Sequence, residues 1–185
     1  MGDYAITLTK EPRPGTAGIT PTFDELFNEH HKKVLLAAYR VTGSLPDAED
    51  VLQSVFLRLL NRREQATSAN STAAYLCRSA INGSLDLLRS RRRTQTETLN
   101  EETLPSTQGA ADSEVRQLEQ RRHLRTALLA LDQRSAEVFA LRFFEDYSNV
   151  EIAVVLDTSN NNVAVALHRA RTQLQEILTE FEGEY

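Results

Sequence analysis

The sequence predicts an all-α protein: two helical domains joined by a flexible linker, the C-terminal one a helix-turn-helix. Three observations predict it. Seven Gly and five Pro are few for 185 residues, and Leu, Ala, Arg, Glu and Gln dominate, which favours helix. Apolar residues recur at helical spacing on both sides of a central polar stretch. Strand-like alternation of any length is absent from the sequence, and no internal repeat is evident.

The elements follow in order. Residues 1–21 lack the charged-then-apolar pattern of a secretion signal and are expected to form a disordered tail. A capping box, Thr22-Phe23-Asp24-Glu25, opens a first helix over 22–43. Phe23, Leu26, Phe27, Val34, Leu35, Ala38 and Tyr39 make its apolar stripe, and Gly43 ends it. Pro46, tolerated in a first turn, begins a second helix to Asn61. This helix is expected to bury Ala48, Val51, Leu52, Val55, Phe56, Leu59 and Leu60. Arg62 to Ser71 lacks apolar anchors and reads as a loop. A third helix, about Thr72 to Arg92, turns Tyr75, Leu76, Ile81, Leu85 and Leu88 inward.

Residues 94–113 are rich in Thr, Ser, Glu and Gln and too poor in apolar residues to fold alone. They are read as the linker, which makes 22–93 and 114–182 the two domains. Helical spacing resumes with Val115, Leu118, Leu124, Leu128 and Leu131, then Val138, Phe139, Leu141 and Phe143. Ser148, with Glu151 three residues on, caps a short helix from Asn149 to Leu156. A turn around Asp157-Thr158-Ser159 leads into a last helix from about Asn160 to Phe181. A short helix, a tight turn and a longer helix are what a helix-turn-helix needs, though helical hairpins in general share the pattern.

Charge is unevenly spread. The net formal charge is −5, yet residues 58–93 hold eight Arg against Glu64 and Asp86, a local basic footprint suited to nucleic acid. The lone Cys77 excludes an internal disulfide and suits a reducing cytoplasm. No apolar run reaches bilayer-spanning length. The adjacent His30 and His31 diverge on a helix and make poor metal ligands, and no catalytic constellation is evident. Neither a cofactor, a metal nor an enzymatic activity is expected.

Two segments carry a family resemblance. PDAEDVLQSVFLRLL, Pro46–Leu60, resembles the most characteristic helix of bacterial RNA polymerase sigma factors. Arg134–Leu174 resembles the helix-turn-helix of the same family. Joined by a short linker with no middle domain, they resemble the extracytoplasmic-function (ECF) group. The resemblance implies that 22–93 is a region 2-like domain and 114–182 a region 4-like domain. It further implies core RNA polymerase and double- and single-stranded promoter DNA as partners, and an anti-sigma protein as inhibitor.

On the resembling pattern, Asp47, Asp50, Gln53 and Ser54 are candidates for docking on core polymerase. Spaced three and four apart, they lie away from the apolar stripe, and without the family they read as an ordinary solvent face. The minus-ten element would meet Arg62, Arg63 and Asn70 in the loop, with Asn61 and Ser68 beside them. On the third helix it would meet Arg78, Asn82, Arg89, Arg91, Arg92 and Arg93. Cations for phosphates and short polar groups for unstacked bases are what single-strand binding needs; Ser84 and Asp86 add polar groups near the helix centre. Tyr75 stands where the family commonly has Trp.

The minus-thirty-five element would meet Asn160, Asn161, Asn162, Ala164, Val165, His168, Arg169 and Arg171. Leu167-His168-Arg169-Ala170-Arg171 follows the family, whereas Asn160–Ala166 departs from it by carrying no charge. Asn pairs with adenine and small apolar groups meet the thymine methyl, so this start suits A·T-rich DNA; Asn equally suits helix capping, and both readings stay open. Lys at Ala164 and Arg at Ala166 are expected to strengthen binding. Asp157 replaces the family's frequent turn Gly and tolerates a left-handed backbone. Two rival functions remain: a helix-turn-helix regulator without polymerase docking, and a polymerase- or anti-sigma-binding adaptor with weakened promoter recognition.

Overall fold

A computed structural model describes residues 21–61, 69–97 and 112–182. Residues 1–20 of the expected tail, residues 62–68 of the expected loop, including Arg62, Arg63 and Ser68, and residues 98–111 of the expected linker lie outside them. The described residues form seven helices: α1 (Phe23–Thr42), α2 (Leu45–Asn61), α3 (Ala69–Glu97), α4 (Asp112–Ala130), α5 (Gln133–Phe143), α6 (Asn149–Val155) and α7 (Asn160–Glu182). The all-helical reading holds, and α1–α3 and α4–α7 form two groups. α3 is longer than expected at both ends, entering the segments read as loop and linker.

Local chemistry sets the boundaries. The Thr22 hydroxyl accepts from the Glu25 N–H and the Glu25 carboxylate accepts from the Thr22 N–H, closing the capping box of α1. Gly43, at φ +67°, ends the helix in the left-handed conformation. Ser148 and Glu151 repeat the box at α6, and the Asp132 carboxylate caps α5.

Two apolar clusters form. One joins Val34, Ala37, Ala38, Val51, Val55, Phe56, Leu76 and Cys77 of the N-terminal helices, with Phe27 and Phe56 edge to face at 4.9 Å. The other is centred on Leu128, Leu141, Ile152, Val163, Leu167 and Leu174, and it also takes in Val41, Ile81 and Leu85 from α1 and α3. The two helical groups therefore share buried apolar surface. Tyr39, Leu60 and Phe143, expected inward, are instead exposed.

Candidate nucleic-acid interface

The helix-turn-helix is built by α6, a turn and α7. Asp157 turns the chain at φ +46°, the left-handed conformation expected of it. The Thr158 N–H donates to the Ala153 carbonyl at 2.9 Å, closing the end of α6. Ser159 then caps α7, its hydroxyl accepting from the Asn162 N–H at 3.1 Å. The Asn162 side chain reaches back to the Thr158 hydroxyl at 3.2 Å. Asn162 thus braces the turn, while Asn160 and Asn161 are exposed on the first turn of α7.

Beyond them Ala164, Val165, His168, Arg169 and Arg171 share the exposed side of α7. Ala166 does not. It is 8% exposed because Val163, Ala166, Leu167, Ala170 and Leu174 form the buried stripe of this helix. The expectation that Arg at Ala166 would strengthen binding is corrected accordingly, since that side chain would enter the core.

An open groove of about 520 Å³ runs beside this face, lined by Arg142, Asn149, Ala164, His168, Arg171 and Thr172 among others. Sequence reading missed Arg142. Its guanidinium donates to the Tyr147 carbonyl at 3.0 Å, and Arg171 stands 5.3 Å from the Phe143 ring centroid. The groove therefore has cations on two walls, one positioned by the backbone and one by an aromatic face. Arg142 is separated from α7 by the whole of α6, so helical spacing alone gave no sign of it.

α3 presents a different picture. Arg78 Nε lies 2.7 Å from Glu137 Oε1, and its Nη1 donates to the Val155 carbonyl at 3.3 Å. Asn82 Nδ2 donates to the same Glu137 oxygen at 2.8 Å and its amide oxygen accepts from Gln133. Arg89 donates to the Leu131 carbonyl at 3.0 Å. Three of the expected minus-ten residues are thus engaged by α4–α6. Arg92 and Arg93 are exposed near the end of the helix, and Asp86 is exposed nearer its centre. Ser84 is fully buried and offers nothing to a ligand. Asn70 belongs to α3 by its backbone, and its side chain lies outside the described residues.

On α2, Asp50, Gln53 and Ser54 are exposed side by side, flanked by the exposed Leu57 and Leu60. Asp47 differs from expectation. It is 4% exposed and its Oδ2 lies 2.5 Å from Arg91 Nη1, so it is turned toward α3.

Electrostatics sharpen the caps. The Ser148 hydroxyl and N–H hold the Glu151 carboxyl below its ordinary value, and the Ser135 hydroxyl does the same for Asp132, with Arg169 adding a smaller effect. Burial, aided by the nearby Glu145 carboxylate, pushes the Cys77 thiol up to about 12, so it stays protonated. Cys77 is a free, buried thiol. Among the described residues, no group of His, Cys, Asp and Glu is arranged to hold a metal ion, and no helix is long and apolar enough to cross a membrane.

Comparison with known proteins converges with this geometry. Residues 26–94 match the family model of sigma-70 region 2, and residues 121–174 match that of sigma-70 region 4. The chain is similar to the ECF RNA polymerase sigma factor SigE of Mycolicibacterium smegmatis, 30% identical over 177 residues, covering 92% of this chain and 66% of SigE. It is also similar to the RNA polymerase sigma factor CarQ of Myxococcus xanthus, 31% identical over 169 residues, covering 90% of this chain and 95% of CarQ. Among solved structures, CnrH in complex with the cytosolic domain of CnrY aligns with a TM-score of 0.53 and 25% identity, over 85% of this chain and 88% of that one. With regions 2 and 4 matched in order onto α1–α3 and α4–α7, the chain belongs to the ECF family of RNA polymerase sigma factors, non-enzymatic proteins that direct the polymerase to promoters.

Proposed function

We propose that three surfaces divide the work of initiation among named residues. Asp50, Gln53 and Ser54, with Leu57 and Leu60 beside them, dock on core polymerase, combining acidic and amide groups with an apolar margin. Asp47, buried against α3, borders that surface and anchors Arg91 through an ion pair. Arg62, Arg63, Asn70, Arg78, Asn82, Arg89, Arg91, Arg92 and Arg93 take the minus-ten strand, with 22–93 as the domain that carries them. Asn160, Asn161, Ala164, Val165, His168, Arg169 and Arg171 read the minus-thirty-five element from 114–182, with Asn162 bracing the turn. Binding the melted strand, rather than covalent chemistry, accelerates initiation.

The observation that carries this reading is the exposed face of α7 beside a cation-lined groove. The similar protein CnrH is in complex with the cytosolic domain of CnrY; we assign this chain a protein partner bound in a like manner, an anti-sigma factor as the family resemblance implies, and a cytoplasmic location where its template lies. Run-off transcription with purified core enzyme and a random promoter pool tests the assignment. Transcripts sharing an A·T-rich upstream element are expected. One observation favours a second reading, an adaptor with weakened promoter recognition: residues 160–166, at the start of α7, carry no charge. Stable core binding without any transcript is the result that would select it.

A further inference from the structure

Three basic groups line the groove beside α7, and each is held by a different partner. Arg142 donates to the Tyr147 carbonyl at 3.0 Å. Arg171 lies 5.3 Å from the Phe143 ring centroid, and the exposed His168 meets the Thr172 hydroxyl one turn on. A guanidinium is always charged. An imidazole changes charge between about pH 5 and 8. His168 is therefore the member of this set that a proton can switch.

The Thr172 contact decides which nitrogen takes that proton. A hydroxyl has a single hydrogen, and Thr172 donates its own to the His168 carbonyl at 3.1 Å, the back-bond common for Thr inside a helix. Toward His168 Nδ1, at 3.3 Å, the same oxygen has only lone pairs left to offer. Nδ1 therefore carries the ring hydrogen, and Nε2 of the neutral imidazole is an acceptor. A proton arriving at Nε2 turns that acceptor into a donor and leaves the Thr172 contact as it was. Thr172 is thus a positioning residue for the ring in both charge states.

Among the described residues that line this groove, Asn149, Ala164, Leu167 and Gln175 are neutral and supply no counter-charge. The first carboxylate along this side of α7 is Glu176, which lines the adjoining groove with Thr172 and Gln175. A neutral ring with Nε2 as acceptor meets a phosphate oxygen lone pair against lone pair. A charged ring donates to it in a charge-assisted bond, and the phosphate in turn favours the charged form. We propose that duplex binding at α7 is coupled to proton uptake by His168: protonated Nε2 joins Arg142 and Arg171 as a third phosphate contact, and the neutral ring withholds it. The proposal rests on the assignment of α7 to the minus-thirty-five element. Affinity for that element accordingly rises as pH falls through the range in which the imidazole gains its charge.

The test follows the anisotropy of a fluorescein-labelled, A·T-rich duplex of about 30 base pairs against the full chain, at about pH 6 and pH 8 and across a salt series. Wild type is compared with His168→Gln, His168→Arg and Arg171→Ala. Wild type is expected to bind about three- to tenfold more tightly at the lower pH, with a salt slope steeper by about 0.9, the mark of one more phosphate contact. His168→Gln should lose both changes, and His168→Arg should bind at the tighter level at both pH values. The comparison with His168→Gln cancels the titration of the other three histidines, His30, His31 and His123. Equal pH responses in wild type and His168→Gln overturn the coupling. So does tighter wild-type binding at the higher pH, which would have Nε2 accept from a base amino group instead. Nitrogen-15 spectra of histidine-labelled full chain at about pH 8 are expected to show the Nδ1–H tautomer for the ring that His168→Gln removes. The Nε2–H tautomer there overturns the proposal, since a neutral ring would already offer a donor. Arg171→Ala should weaken binding at both pH values; unchanged affinity would overturn the assignment of α7 itself, and the coupling with it.

Discussion

Arg91 Nη1 lies 2.5 Å from Asp47 Oδ2, tying the basic run at the end of α3 to the first turn of α2. The Asp47 side chain is 6% exposed and that of Arg91 52%, so the pair is asymmetric: the cation is free to return to water and the carboxylate is not. Removing the cation leaves a buried charge behind, which costs more than losing an exposed pair. Arg91→Ala is expected to lower stability by about 1–3 kcal/mol. Arg93→Ala, on an exposed side chain, is expected to change it by less than about 0.5 kcal/mol. Urea denaturation of both variants distinguishes them, and equal small losses would assign Arg91 to nucleic acid alone.

The two alanines near the start of α7 have opposite expectations. Ala164 is exposed beside Arg142 and Arg171, so Ala164→Lys adds a cation to an existing groove. Affinity for promoter duplex is expected to rise severalfold, with the salt slope steepening by about 0.9. Ala166→Arg is expected to destabilise by about 1–3 kcal/mol through overpacking, because Ala166 lies in the core stripe. Fluorescence anisotropy across a salt series, beside thermal melts, reads both outcomes.

Gly43 combines two constraints. Its φ is +67°, and an added Cβ would collide with the Arg125 guanidinium, which lies over the end of α1. Gly43→Ala is expected to cost more than about 1 kcal/mol, with the loss eased by Arg125→Ala in the same chain. Strict additivity of the two substitutions would remove the collision as a cause.

The helix caps predict an acid limb in stability. Glu25, Asp132 and Glu151 are each held below their ordinary values, 4.5 for Glu and 3.8 for Asp, chiefly by hydrogen bonds from the residue they cap or pair with. A carboxyl depressed by folding contributes stability that is complete above its unfolded value and is lost as pH falls through the folded one. The melting temperature is therefore expected to be level from neutral pH down to about 5 and to fall below about 4.5. Glu151→Gln should shallow that fall while lowering the neutral plateau. An unchanged acid limb in Glu151→Gln would remove α6 from the account.

What the sequence revealed tracks what is local. Capping boxes at Thr22 and Ser148, the left-handed Asp157 and the core spacing of Val163, Leu167 and Leu174 all depend on residues within a turn or two of one another. They were legible for that reason. Ala166 was legible too, three residues from Val163 and four from Ala170, but the weight given to missing charge obscured it. The engagement of Arg78 by Glu137 was not legible, because 59 residues separate the two and no periodicity spans the linker. Asp47 was misplaced for a related reason: an acid in the first turn of a helix reads as a surface group until its long-range partner is known.

The apolar cluster shared by α1, α3 and α4–α7 has a practical consequence. Dividing this protein between its halves would lay bare Val41, Ile81 and Leu85 on one fragment and the leucines that cover them on the other. Fragments cut there should be prone to self-association, so promoter footprints and polymerase affinities are best measured on the intact polypeptide.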